Sequence, residues 1–249
     1  MLCTPVLPAM NGQARPGHPS SSSTPLVAAD HANDGKRHLL LAASGSVATI
    51  KLPNIVKALS HYRKLSVRIV LTKSAENFLV GQSEEQPPLE ALKDVSNVDG
   101  VYLDEDEWTK PWTRGGGILH IELRRWAHIL VIAPLSANSL AKMTMGLADN
   151  LLLSVVRAWD TNGDVESVHG RKRIVVAPAM NTAMWRHPIT KKQIRVLEEE
   201  WGIGGKDDGW IEVLRPVEKE LACGDVGDGA MSEWKEIVAA IEQRLALNS

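Results

Sequence analysis

Four times along the chain, a short and almost purely apolar run ends in small or hydroxylated residues and gives way to an amphipathic stretch. The first run, 38–44, is followed by Ala48, Leu52, Ile55, Val56 and Leu59, which share one face at helical spacing. The theme returns at 66–72 with a helix predicted over 73–80, at 128–134 with a helix opening at Ser136, and at 173–178 with a segment running to about residue 200. Runs without polar alternation belong to strands buried on both faces, so strand alternating with helix predicts a parallel sheet with helices on both sides. A last helix is predicted over 232–247, where Trp234, Ile237, Val238, Ile241 and Leu245 recur on one face. Pro53 lacks a backbone donor and should bend the first helix or delay its start.

Between these elements, 81–117, 161–173 and 202–229 carry no regular period. Loops of that length in a compact domain are commonly functional. The acidic run 104–107, between Tyr102 and Trp108, reads as a solvated surface loop. Residues 1–36 combine Pro5, Pro8, Pro16, Pro19 and Pro25 with the serines 20–23 and are expected to be a disordered tail, leaving one domain over 37–249.

Composition removes several function classes. A net charge of −2 at pH 7 supplies no basic field for nucleic acid or an anionic membrane. No apolar run approaches the roughly 20 residues of a spanning helix. The N-terminus lacks the basic start and apolar core of a secretory signal, so a cytoplasmic protein is expected, with the nucleus as a second compartment. Cys3 and Cys223 are the only cysteines, which excludes a disulfide framework and a cysteine zinc cluster, and no metal site is expected.

The candidate chemistry sits where the strands end. In an open parallel sheet, ligands bind beyond the carboxyl ends of the strands, where helix N-termini present free N–H groups. Here those ends carry Ser44, Gly45 and Ser46; Thr72, Lys73 and Ser74; Ser136, Ala137, Asn138 and Ser139; and Ala179, Met180 and Asn181. Small residues allow close backbone approach, and hydroxyls with exposed amides suit a phosphate. No Gly-x-Gly-x-x-Gly follows the first strand and no Walker A sequence occurs, so a mononucleotide cofactor fits better than NAD or ATP.

The segments GSVATIK at 45–51, LHIELRRWA at 119–127, APLSANSLAK at 133–142, GLADNLL at 146–152, PAMNTAMWRHP at 178–188 and ACGD at 222–225 resemble the phosphopantothenoylcysteine decarboxylases, within the homo-oligomeric flavin-containing cysteine decarboxylases. The resemblance covers about residue 37 to the C-terminus. It implies a single flavodoxin-like (Rossmann-like) α/β domain that binds FMN and assembles as a homotrimer, or as a heterotrimer with a paralogue, with active sites between subunits. FMN would contact Gly45, Ser46, Val47, Thr72, Lys73, Ser74, Ser136, Ala137, Asn138, Ser139 and Ala179. The implied substrate is 4′-phosphopantothenoylcysteine, its carboxylate held by Asn181, with Met184 and Ala222 nearby. His120 is implied as the active-site histidine and Cys223 as the proton donor.

The implied reaction answers a chemical problem. Direct decarboxylation would leave an unstabilised carbanion, so the thiol is transiently oxidised to a thioaldehyde, carbon dioxide leaves to give an enethiolate, and re-reduction yields 4′-phosphopantetheine. Taken alone, His120 sits at the edge of an apolar stripe formed by Leu119, Leu123, Trp126 and Ala127, where a histidine can be purely structural. Ile118 and Ile121 make a second apolar patch, as on a helix that meets another subunit. Asn181 can be a plain cap, and Cys223 a small hydrophobe. The alternative function is a non-catalytic or hetero-oligomeric relative inhibiting a type 1 protein phosphatase. The presence of His120, Asn181 and Cys223 on one chain favours the enzyme.

Overall fold

A computed structural model describes residues 26–109, 111–165, 170–204, 209–220 and 226–247. Six parallel strands form one sheet: β1 (Arg37–Ala43), β2 (Leu65–Leu71), β3 (Val98–Tyr102), β4 (Ile129–Leu135), β5 (Arg173–Pro178) and β6 (Ile211–Val213). The main helices are α1 (Leu52–Leu59), α2 (Leu119–Trp126), α3 (Ala137–Thr144), α4 (Leu151–Arg157), α5 (Thr182–Arg186), α6 (Pro188–Arg195) and α7 (Trp234–Leu245). The strand order is β3-β2-β1-β4-β5-β6, a doubly wound sheet whose direction of growth reverses between β1 and β4. The expected class, a flavodoxin-like (Rossmann-like) parallel sheet with helices on both faces, is therefore the one adopted, and its strand order is the Rossmann one.

β1 shows how the sequence divides into two cores. Every residue after Arg37 is buried, and the side chains alternate between faces. Leu39, Leu41 and Ala43 join Ile55, Leu59, Ile237 and Ile241 from α1 and α7, while Leu40 and Ala42 join Leu123, Trp126, Leu152 and Val155 from α2 and α4. Each fully buried leucine contributes about 1.5–3 kcal/mol. Polar substitution at consecutive β1 positions would thus damage opposite sides of the molecule.

Several expectations are corrected at the edges. The helix expected over 73–80 ends at Glu76, and Val80–Ser83 instead pairs with Gln86–Pro88 in a small hairpin. β3 and β6 lie within stretches that carried no strand signal. β3 contains Asp99 and Gly100 and is only partly buried, as befits an edge strand, and β6 is just three residues long. Val217–Glu220 and Val226–Ala230 form a separate antiparallel ribbon. Pro53 delays the first helix: a 3-10 turn over Val47–Lys51 precedes α1, and Pro53 occupies the first α-helical turn, where its missing N–H is not needed.

The domain begins earlier than residue 37. Residues 28–31 form a 3-10 turn with Ala28 buried, and the Ala28 N–H donates to Glu122 Oε2 of α2 at 2.7 Å. His38, 2% exposed, lies 3.0 Å from Asp34 through Nε2 and 3.1 Å from the Trp126 carbonyl through Nδ1, and its ring stacks on Trp126. The part of the expected tail from residue 26 onward is thus a packed arm. Among the described residues, no helix is long and apolar enough to cross a membrane.

Candidate active site

The strand exits converge at the point where the sheet reverses direction. Ser44, after β1, bridges to the exit of β4: its hydroxyl lies 3.1 Å from the Pro134 carbonyl and 3.2 Å from Ser136 Oγ, and it accepts the Ser136 N–H at 2.8 Å. Ser136 in turn caps α3 by accepting the Ser139 N–H. This buried hydroxyl chain fixes the two turns against each other and leaves the N–H groups of Ala137 and Asn138, in the first turn of α3, without intrahelical acceptors. Sequence reasoning placed Ser44 at a strand exit but gave it no role.

Beyond these turns lies a cavity of about 550 Å3, lined by Gly45, Ser46, Val47, Ser136, Ala137, Asn138, Ala179, Asn181 and Met184, along with Ile50, Lys51, Phe78, Met180, Met231 and Trp234. Ser139 is buried behind the wall as the partner of Ser136. Gly45 is required by close packing, since a Cβ there would fall 2.4 Å from the Ser74 Cβ.

Thr72, Lys73 and Ser74 do not line the cavity. The Lys73 N–H, which a phosphate would use, donates instead to Asp104 Oδ2 at 3.2 Å, while Oδ1 of the same carboxylate accepts the Leu151 N–H at 3.2 Å. The Lys73 ammonium is exposed and faces Glu105 at 3.8 Å. Burial pushes the Asp104 carboxyl above the ordinary aspartate range, and the two N–H donors oppose that rise.

Asn181 follows β5 and caps α5, its Oδ1 accepting the Met184 N–H at 2.8 Å. That bond fixes the amide: its oxygen is engaged, and Nδ2 is left to donate on a residue that is exposed to the cavity. The ribbon leans on this segment, with the Met180 N–H donating to the Gly229 carbonyl at 3.0 Å and Arg186 paired to Asp228. A Cβ on Gly227 would lie 1.7 Å from Thr182 Oγ1, so only glycine allows the ribbon this close. Ala222 and Cys223 lie outside the described residues, between the two ribbon strands in sequence.

His120 is not part of the cavity wall. It lies in the first turn of α2, its side chain 22% exposed, with Nδ1 2.8 Å from Glu107 Oε1. The Glu107 side chain is only 4% exposed. The acidic run is therefore no solvated loop. Asp104 ties two helical starts, the Leu103 N–H donates to Asp106, and Glu107 holds His120, while Glu105 and Asp106 are the two exposed acids of the run. Nothing in the spacing of the four acids separates Glu107 from its neighbours.

The cavity fits a flavin mononucleotide. Its volume lies in the usual range for small-ligand sites, about 300–1,000 Å3. Val47, Ile50, Phe78, Met180, Met184 and Trp234 offer apolar surface to a planar ring, while Ser46, Lys51, Ser136 and the start of α3 offer donors to a phosphate. Among the described residues, no cluster of three histidine, cysteine or acidic side chains could hold a metal.

A doubly wound sheet with a mononucleotide-sized cavity at its switch point defines the class of protein. The Flavoprotein family matches residues 27–246, and the chain belongs to that family. It is 45% identical over 207 residues to an Arabidopsis thaliana protein named probable phosphopantothenoylcysteine decarboxylase, covering 83% of this chain and 87% of that one. Among solved structures it is similar to a cysteine-to-serine mutant of PPC decarboxylase complexed with pantothenoylaminoethenethiol, with a TM-score of 0.67 and 42% identity, covering 84% of this chain and 97% of the other. The FMN binding protein AtHal3 gives a TM-score of 0.66 at 42% identity, covering 86% of this chain and 99% of that one. The first two curated relatives are longer, and the chain spans 30% and 39% of their lengths.

Proposed function

We propose that the protein is an FMN-dependent carboxy-lyase that converts 4′-phosphopantothenoylcysteine to 4′-phosphopantetheine in coenzyme A biosynthesis. The observation that carries this reading is the cavity at the switch point, in which the fixed Asn181 amide faces an otherwise largely apolar chamber. Gly45, Ser46, Val47, Ser136, Ala137, Asn138 and Ala179 would hold FMN, with Ser139 bracing Ser136 and the turn at Thr72, Lys73 and Ser74 packing behind Gly45. FMN, when bound, supplies a reversible hydride sink that amino-acid side chains lack.

The chain's own residues do the rest. Asn181 Nδ2 donates to the substrate carboxylate without a full positive charge, so it orients the group without stabilising the ionised ground state over departing carbon dioxide. Met184 and Ala222 flank the substrate. His120 assists the oxidative half as a proton acceptor, and Cys223 returns a proton to carbon in the reductive half. Because His120 lies outside the cavity wall of its own chain, the complete site takes His120 from one subunit and the Asn181 cavity from another, as in a homotrimer or a heterotrimer with a paralogue. The proposed location is the cytoplasm, as expected from the sequence.

The test is turnover of phosphopantothenoylcysteine by purified protein, with product mass and flavin absorbance read on one sample. Yellow protein that releases carbon dioxide and pantetheine phosphate supports the reading; colourless, inactive protein overturns it. Cys223→Ser should stop at the oxidised, decarboxylated enethiol, two mass units below the normal product. Normal product from that variant would remove the proton-donor role.

A further inference from the structure

Glu107 is a carboxylate that the proposed reaction does not yet use. It lies next to the last residue of the 3-10 turn Asp104–Trp108, with its side chain buried against the start of α2. Its Oε1 accepts from His120 twice: from Nδ1 at 2.8 Å and from the backbone N–H at 3.3 Å. A helix cap needs only the second of these bonds. The shorter bond is the one to the ring, and it has a chemical consequence.

A carboxylate only accepts, so the proton of a neutral imidazole held this way resides on Nδ1 and the lone pair on Nε2. Nε2 has no hydrogen-bond partner among the described residues, on a ring that keeps some exposure. We propose that Glu107 is a positioning residue for His120: it fixes the tautomer with a basic Nε2, aims that nitrogen away from its own subunit, and stabilises the imidazolium formed when Nε2 takes a proton. The assignment rests on the reading of His120 as an active-site base. It extends that reading by giving the histidine a carboxylate partner, in the role such a partner plays in a catalytic triad.

The neighbouring charged groups are engaged elsewhere. Asp104 accepts from the Lys73 and Leu151 N–H groups, Asp106 from the Leu103 N–H, and Glu122 from the Ala28 N–H and Arg125, while Glu105 faces Lys73. Arg124 is buried on the same helix and has a partner of its own. Glu107 is thus the acid in direct contact with the ring.

The experiment uses full-length, FMN-loaded protein carrying Glu107→Gln, Glu107→Ala or His120→Asn, or His120→Asn combined with either Glu107 change. Glutamine keeps an acceptor for Nδ1–H but loses the charge; alanine loses both. We expect the glutamine variant to bind flavin and to keep KM within about twofold while kcat falls about tenfold, with a deeper loss in alanine. In 15N-histidine-labelled protein, the His120 signals should show the Nδ1–H tautomer in the parent and the glutamine variant, and a tautomer mixture in alanine. In the His120→Asn background, either Glu107 change should cost nothing further in kcat, because the two residues act as one unit. Losses that add to that of His120→Asn, or a tautomer unmoved by alanine, would overturn the positioning role while leaving His120 in place. Full activity of His120→Asn would remove the parent reading and this proposal with it.

Discussion

The cavity at the strand exits and the His120 corner are built by opposite means. The strand-exit rim of the cavity is made of backbone and small side chains: Gly45 against Ser74, the Ser44–Ser136–Ser139 hydroxyl chain, and the first turn of α3. Its parts are fixed by topology, since parallel strands deliver their ends to one rim. The His120 corner turns on one side-chain pair, a glutamate from a 3-10 turn and a histidine 13 positions later on a helix. The first encloses space within one chain, whereas the second holds a partly exposed ring outside that space. A chamber of this kind needs one chain alone, and under the proposed function its proton-transfer group would come from another subunit.

The sharpest way to break this comparison is to change charge in the chamber without changing its shape. Aspartate caps helices as well as asparagine does, so Asn181→Asp should keep α5 and the flavin yet lower kcat/KM by about 10³-fold or more, through repulsion of the substrate carboxylate. Retained turnover would show that the amide does not meet that group. His120→Asn comes next, with a loss of about 10²-fold or more in kcat and no change in flavin absorbance; a colourless protein would mean that the two regions are not separate. Gly45→Ala should act on the chamber alone. Its Cβ would collide with Ser74 and lower stability by about 1–3 kcal/mol, which thermal denaturation with and without added FMN would report as a larger deficit in the flavin-bound form.

The smallest effect concerns the arm beneath α2. Burial raises the Asp34 carboxyl, but the Lys36 N–H together with His38 and His31 outweighs it and holds the group below the ordinary aspartate range. A lowered native pKa means that the folded state binds fewer protons than the unfolded one, so this contribution is present above the ordinary value and is lost as pH falls through the native one. Melting temperatures measured from about pH 5 to about pH 3 should therefore fall less steeply for Asp34→Asn than for the parent. An unchanged acid limb would mean that the arm draws no stability from Asp34.

The same contrast explains what was legible in the sequence. Runs such as 38–44 and 128–134 announced buried parallel strands, and their small, hydroxylated ends announced the chamber, because both follow from local pattern. β3 and β6 escaped because edge strands are half-exposed and need no continuous apolar run. That the Lys73 N–H meets Asp104, 31 residues on, could not be read from spacing, because tertiary contacts set that pairing. Glu107 was hidden among four acids whose different partners are set by tertiary contacts. The roles of His120, Asn181 and Cys223 came from resemblance rather than from spacing, and Cys223 lies outside the described residues.

Helix α2 is gripped at both ends. Glu107 receives the N–H of His120 at its start, and at its finish the buried Lys172 ammonium donates to the Arg124 and Arg125 carbonyls at 3.0 Å each, while His38 meets the Trp126 carbonyl. Eight residues held this way have little freedom to slide or rotate along their axis. The imidazole therefore stands on a fixed post. In the proposed reaction, any motion that closes the distance between His120 and a bound substrate would therefore have to come from the substrate or from the chamber that holds it.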